Sequence, residues 1–131
     1  MEEREAGKGP FRIHVRDEPI MSVAGIWDIW RPGTPAERCL FSILTAAAND
    51  FMRNIHDRMP IILGRSDEDA WLDPQIRDQQ SLEKLLKPCP SSWLTAVEVS
   101  SLVNAASNNT PDVLEPMSDR DVGRMKCLFD P

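Results

Sequence analysis

The chain has 131 residues, about the length of one domain, and an apolar fraction of 41% that is ordinary for a globular protein. These values exclude a chain that is disordered as a whole, a coiled coil and a collagen-like repeat, and no apolar run approaches the roughly 20 residues of a membrane span. The net charge of −6 is uneven, because residues 1–65 hold nine basic and nine acidic side chains, whereas residues 66–131 hold six and twelve. A nucleic-acid partner should therefore meet the first half, since acidic surface repels phosphate.

The first elements are predicted from apolar patterning. Residues 1–10 are expected to form a flexible leader. Phe11–Val15 alternates apolar and polar residues, which predicts a half-buried strand. A turn at residues 17–19 leads into a second, buried strand over residues 20–27, and the two strands are expected to pair as a hairpin. Residues 39–46 predict a third strand, apolar enough for an interior.

Further short elements are predicted downstream. They are a helical turn ending at residue 54 and capped by Asn49 or Asp50, a strand over 60–63, helices over 66–72 and 81–86, and a strand over 94–99. Ser66 is the predicted N-cap of the first helix. Residues 11–116 are expected to form one domain, followed by an irregular acidic tail over 117–131. Because strands follow strands without crossover helices, the predicted fold class is α+β, a largely antiparallel sheet with short helices at its periphery.

The cysteines indicate a reducing compartment. Cys39, Cys89 and Cys127 are odd in number, form no C-x-x-C motif and follow no secretory signal, so free thiols and a cytoplasmic location are expected. With two histidines in the chain, neither a Cys/His zinc site nor any other metal or cofactor site is predicted. No nucleophile elbow, P-loop or dinucleotide motif is present.

The densest polar cluster lies at residues 54–60, just before an apolar stretch. His56 is suited to general acid or base chemistry near neutral pH, and Arg58 to holding a phosphate. Asp57 can orient the backbone or pair with Arg58, and Thr45, at the end of the third predicted strand, can face a cleft or pack in the sheet. The alternative is structural, with charged residues that cap a strand and stay solvated and locally paired.

Four tryptophans offer two interpretations. Trp27, Trp30, Trp71 and Trp93 can stack on nucleic-acid bases, or they can form part of the core and its rim, which is the commoner role.

Several segments, in order, resemble one known family. They are Gly9-Pro-Phe-Arg-Ile, Ala24-Gly-Ile-Trp, Leu44-Thr-Ala-Ala-Ala-Asn-Asp, Ile55-His-Asp-Arg-Met-Pro-Ile and Trp71-Leu-Asp-Pro. A last matching region lies within residues 97–116. Together they resemble the SRAP family of SOS-response-associated peptidases, or abasic-site-processing proteins. The resemblance covers roughly residues 9–116 and implies a β-barrel-like fold, of which this chain carries a part.

The resemblance also implies a chemistry. Family members recognise abasic sites in single-stranded DNA, and an N-terminal Cys condenses with the aldehyde of the damaged sugar to give a protective thiazolidine crosslink. A Glu and a His assist the proton transfers, and peptidase and lyase-type activities belong to the family. By the resemblance, His56 is the catalytic His, Arg58 contacts phosphate, Thr45 lines the pocket and Asp57 supports them.

Two departures from the family pattern accompany these matches. Residue 2 is Glu2 rather than the family's Cys. In the family, one strand directly follows a motif that contains the catalytic Glu and a Trp. The segment that matches this strand begins at Gly9, and the residues before it do not contain the motif. We therefore expect a C-terminal portion of the family domain that lacks both the Cys nucleophile and the catalytic Glu and forms no crosslink. The alternatives are a non-catalytic remnant that binds single-stranded DNA or protein weakly and, with no oxyanion signature to support it, a hydrolase using His56 and a Ser. Unpaired strand edges beside residues 11–15 or 39–46 also predict self-association.

Overall fold

Short strand pairs make up most of the regular structure in residues 9–117, the part of the chain that the computed structural model describes. The strands are β1 (Phe11–Val15), β2 (Gly25–Trp30), β3 (Arg38–Ile43), β4 (Thr45–Ala47), β5 (Arg58–Pro60) and β6 (Leu94–Glu98). The α-helices are α1 (Arg65–Leu72) and α2 (Gln79–Glu83), and single 3-10 turns lie at Met52–Asn54, Ser91–Trp93, Ser101–Asn104 and Pro111–Leu114. Most of the predicted leader and acidic tail lies outside the described residues.

The described residues divide into two compact units. One comprises residues 9–14 and 95–117, and contains most of the β1–β6 pair. In this unit the Val99 main-chain N–H donates to the Pro10 carbonyl at 2.9 Å, and Val99 also forms an isolated bridge with Pro116. Val99 is 2% exposed, so the residue that makes these backbone contacts on both sides is itself buried.

The other unit is Val15–Leu94, and three backbone segments meet at its centre. Ala24 N–H donates to the Ile61 carbonyl, Ile61 N–H to the Leu44 carbonyl, and Leu44 N–H to the Ala24 carbonyl, at 2.9 to 3.0 Å. Ala24, Ile61 and Leu63 form the buried core, against which Leu44, Ala46, Trp71 and Leu85 pack. The apolar segment directly after β5, residues 61–63, therefore lies at the centre of this unit's core.

The predicted α+β class is confirmed, and the pairs β2–β3 and β4–β5 are antiparallel. The described strands form three two-stranded sheets rather than a closed barrel. Neither α-helix of the described residues has the length and apolar content to cross a membrane.

The predicted hairpin between the first two strands is wrong. The turn itself forms, with Asp17 at φ 58°, but β1 pairs with β6, and β2 pairs with β3. Apolar alternation fixes which face of a strand is apolar and leaves open which strand supplies its hydrogen bonds. The predicted burial of the second and third strands is also wrong, because Trp27 on β2 is 71% exposed and Phe41 on β3 is 78% exposed.

The caps of the two helices differ from one another. Gly64, and not the predicted Ser66, is the N-cap of α1, and it supplies no side-chain cap. A Cβ atom built at Gly64 would lie 2.9 Å from Cη2 of Trp93, so the position is closed to the usual capping residues. In α2, by contrast, Asp78 is a true cap and accepts a hydrogen bond from the Ser81 N–H at 2.9 Å.

Candidate functional site

The antiparallel pair β4–β5 brings Thr45 and Arg58 together. In its register Ala47 lies opposite Arg58, and Thr45 lies opposite Pro60. Nη2 of Arg58 donates to the Thr45 carbonyl at 2.9 Å and to Thr45 Oγ1 at 2.7 Å. The guanidinium of Arg58, an exposed residue of this strand pair, is thus held by one of its three nitrogens, while Nε and Nη1 meet no partner among the described residues.

His56 is positioned by the turn that precedes β5. The Ile55 N–H closes the 3-10 turn Met52–Asn54 on the Met52 carbonyl at 2.8 Å, and the His56 N–H donates to the same carbonyl at 2.8 Å. The side chain remains 65% exposed. Nδ1 lies 2.9 Å from the Arg58 main-chain nitrogen, 3.2 Å from the Arg58 carbonyl oxygen and 3.0 Å from Oδ1 of Asp57. The Nδ1 edge of the ring therefore contacts neighbouring residues of the same chain, and Nε2 is the ring nitrogen that can bind a ligand.

The three contacts at Nδ1 of His56 require different proton positions. The Arg58 main-chain N–H needs a lone pair on Nδ1, which the neutral ring offers when its proton is on Nε2. The Asp57 carboxylate and the Arg58 carbonyl need a proton on Nδ1. The environment of Nδ1 therefore accommodates either position of the ring proton.

The polar cluster rests on buried neighbours. Phe51 is the N-cap of the turn and supplies no side-chain capping hydrogen bond, but the predicted Asn49 accepts from the Met52 N–H through its Oδ1 at 2.9 Å. The Asn49 side-chain amide donates to the Cys89 carbonyl, also at 2.9 Å, across a separation of 40 residues. Met59, between Arg58 and Pro60, is 1% exposed. The contact between Asn49 and Cys89 was missed by sequence reasoning, and no local pattern signals a partner so distant along the chain.

The four predicted site residues thus form one exposed cluster, but two of them have partners other than those predicted. Asp57 was expected to orient the backbone or to pair with Arg58, and its carboxylate lies instead against the His56 ring. Thr45 uses its hydroxyl to hold Arg58. Among the described residues no group of His, Cys, Asp and Glu is arranged to bind a metal ion. This arrangement offers a cation and a hydrogen-bonding imidazole, both exposed to solvent.

The tryptophans and cysteines lie in different environments. Trp71 packs at the core and its Nε1–H donates to the Gly25 carbonyl at 3.2 Å, whereas Trp27 and Trp30 are mostly exposed. Cys89 is buried, and this burial raises the pKa of its thiol, which disfavours the thiolate that a nucleophile requires. Cys39 is exposed on β3.

Comparison with known proteins identifies the family. The profile of SOS response associated peptidase (SRAP) matches residues 2–106. A Bacillus subtilis relative, abasic site processing protein YoqW, is 38% identical over 110 residues, which are 82% of this chain and 48% of the relative. The mouse abasic site processing protein HMCES is 38% identical over 101 residues, 74% of this chain and 27% of that protein.

A solved structure is similar in fold as well as in sequence. A crystal structure of a Bacteroides thetaiotaomicron protein superposes with a TM-score of 0.75 at 33% identity, and the match covers 86% of this chain and 50% of that one. The chain therefore spans about half the length of the Bacillus relative and of this structure. A profile match over most of the sequence, relatives at this level of identity and a shared fold agree, and the chain belongs to the SRAP family.

Proposed function

We propose that this chain supplies the His and Arg side of a pocket that holds an abasic site in single-stranded DNA. The observation that carries the proposal is the cluster on β4–β5, where a tethered guanidinium and an exposed imidazole lie within three residues of each other. The relatives named as abasic site processing proteins make an abasic nucleotide the substrate to test.

Arg58 is assigned to the DNA backbone. A guanidinium recognises phosphate oxygens with a planar fork of donors, and Arg58 keeps Nε and Nη1 available while Nη2 is bound to Thr45. Thr45 then acts as a positioning residue, because its oxygens hold the Arg58 guanidinium in place before DNA binds. Preorganisation of this kind reduces the side-chain entropy lost on binding.

His56 is assigned to a hydrogen bond with the damaged sugar. Its Nδ1 lies 2.9 Å from the Arg58 main-chain nitrogen and 3.0 Å from Oδ1 of Asp57, so Nε2 is the nitrogen that can meet an oxygen of the opened sugar. Such a contact orients the lesion without a covalent step. Where a nucleophile is supplied by another chain, Nε2–H can donate its proton to the same oxygen.

A covalent step is not expected of this chain tested by itself. Thiazolidine formation needs an amine and a thiol on the same N-terminal Cys, and the three cysteines of this sequence, Cys39, Cys89 and Cys127, are all internal. Peptidase and lyase-type activities that use the same nucleophile are not expected either. The function proposed for this chain is therefore recognition of the lesion.

The test is binding of fluorescent oligonucleotides followed by anisotropy. We expect a single strand with one abasic site to bind more tightly than the intact single strand, and both more tightly than a duplex. Arg58→Ala should weaken all single-strand binding, whereas Arg77→Ala, which changes an exposed arginine far from β4–β5 in sequence, should not. Equal loss in both variants, or no preference for single strands, would contradict the proposal.

A denaturing gel tests the absence of covalent chemistry. After incubation with the abasic single strand, we expect no protein–DNA band that survives denaturation. A covalent band that disappears in His56→Asn would show that the chain carries a crosslinking activity of its own.

A further inference from the structure

The hairpin formed by β2 and β3 presents one wholly apolar face. In its antiparallel register Trp27 lies opposite Phe41, Ile29 opposite Cys39 and Gly25 opposite Ile43. Cross-strand partners share a face of the sheet, and alternate residues share it along each strand. The apolar face of the hairpin therefore consists of Trp27, Ile29, Cys39, Phe41 and Ile43.

This apolar face is largely uncovered. Trp27 is 71% exposed, Phe41 78% and Ile43 50%. The other face of the hairpin is more polar, with Asp28, Arg38 and Ser42, yet it also exposes Ile26, Trp30 and Leu40 by about half. Contiguous exposed apolar surface of this kind marks an interaction site.

We propose that the β2–β3 hairpin is the docking surface for a half-domain of the kind that makes up the unmatched part of the relatives. This occupant is favoured by length, because the match to the Bacteroides structure covers only 50% of that chain and the match to the Bacillus relative only 48%. The matched half of that structure contacts the unmatched half along some surface, and among the described residues the hairpin exposes the largest apolar side chains, Trp27 and Phe41.

A second copy of this chain fits the hairpin less well. A two-fold contact through the apolar face leaves Ile26, Trp30 and Leu40 on the other face, each about half exposed, without cover. A polypeptide that covers both faces buries these three side chains as well.

The proposal does not depend on the DNA-binding function. The hairpin residues 25–43 are distinct from the cluster on β4–β5, and docking can be measured without DNA. Cys39 provides the probe, because it is exposed on the apolar face while Cys89 is buried. A Cys127→Ser background leaves Cys39 as the accessible thiol among the described residues.

The experiment is coexpression of the full chain with the part of the Bacillus YoqW protein that lies outside the matched 110 residues. We expect copurification in a one-to-one complex and alkylation of Cys39 that is about tenfold slower or more than in the chain alone, because a covered thiol reacts only through opening. The chain alone should expose Cys39 and form at most a weak, concentration-dependent dimer.

Matched variants assign the contact to the hairpin. Phe41→Ser should abolish copurification, whereas Leu72→Ser, which removes an equally exposed side chain at 77%, should leave it intact. Failure to copurify with unchanged Cys39 reactivity overturns the proposal. A tight homodimer with protected Cys39 overturns the choice of occupant in favour of a second copy, and equal effects of the two variants overturn the assignment to the hairpin.

Discussion

The contact between Thr45 and Arg58 makes a quantitative prediction for DNA binding. Thr45→Val keeps the β-branched shape and the carbonyl that accepts from Nη2 at 2.9 Å, and it removes only the hydroxyl that accepts at 2.7 Å. The substitution therefore isolates one hydrogen bond to a side chain that is otherwise unchanged.

The magnitude is set by the exposure of the pair. A net hydrogen bond contributes about 0.5–1.5 kcal/mol, and solvent around an exposed guanidinium brings this one to the lower end. If that contact serves to hold Arg58 in place, its loss should raise Kd for the abasic single strand roughly two- to fivefold. Arg58→Ala should cost more, and it should also lower the salt slope of log K by about 0.7, the value for one phosphate contact on a single strand.

A double-mutant cycle separates positioning from direct contact. The assay is anisotropy with the abasic oligonucleotide at four or more salt concentrations, for the unmodified chain, the two single variants and Thr45→Val/Arg58→Ala. If Thr45 acts through Arg58, the effect of Thr45→Val should vanish once Arg58 is gone, and Thr45→Val alone should leave the salt slope unchanged. An equal loss in both backgrounds would refute the reasoning and show that Thr45 touches DNA itself.

Three further predictions concern stability and titration. Met59→Ala should lower the free energy of unfolding by about 2–5 kcal/mol in urea denaturation, and the volume-conserving Met59→Leu by less than about 1.5 kcal/mol, because Met59 is 1% exposed. The hydrogen bond and then the charge of Arg65 lower the pKa of Glu18, so this pair stabilises the fold above the pKa of the unfolded chain and loses its contribution as pH falls through the folded value. Arg65→Gln should raise the Glu18 pKa in a carbon-13 NMR titration, and an unchanged pKa would exclude the pair as the cause. Because burial raises the pKa of the Cys89 thiol, iodoacetamide at mildly alkaline pH should label Cys39 before Cys89 by mass spectrometry, and the reverse order would contradict the burial.

Local features of this chain could be predicted from sequence. Phe11–Val15 follows from alternation, a strand near residues 94–99 is also predicted, and the hydrogen bond from the Met52 N–H to the Asn49 side chain follows from residue type. His56, Asp57 and Arg58 lie together because they are adjacent in sequence.

Long-range features could not be predicted in the same way. The partner of β1 is β6, about 80 residues away, and nothing in the apolar pattern of Phe11–Val15 selects it. The hydroxyl of Thr45 meets Arg58 across 13 residues because of the β4–β5 register, which the sequence does not reveal. The second and third strands are less buried than their apolar sequences suggest. An apolar sequence predicts that a face of the strand is covered, but it does not identify the polypeptide segment that covers it.

The N-terminus of α1 limits how this protein can change. A serine at position 64 would give the helix the capping oxygen it lacks, and it is the first substitution that a stability design would choose. The Trp93 indole lies where that side chain would start, and the Trp93 backbone is itself fixed by the Arg16 N–H at 2.8 Å. The two positions are therefore expected to change together among relatives, with a capping residue at 64 appearing where position 93 carries a smaller side chain.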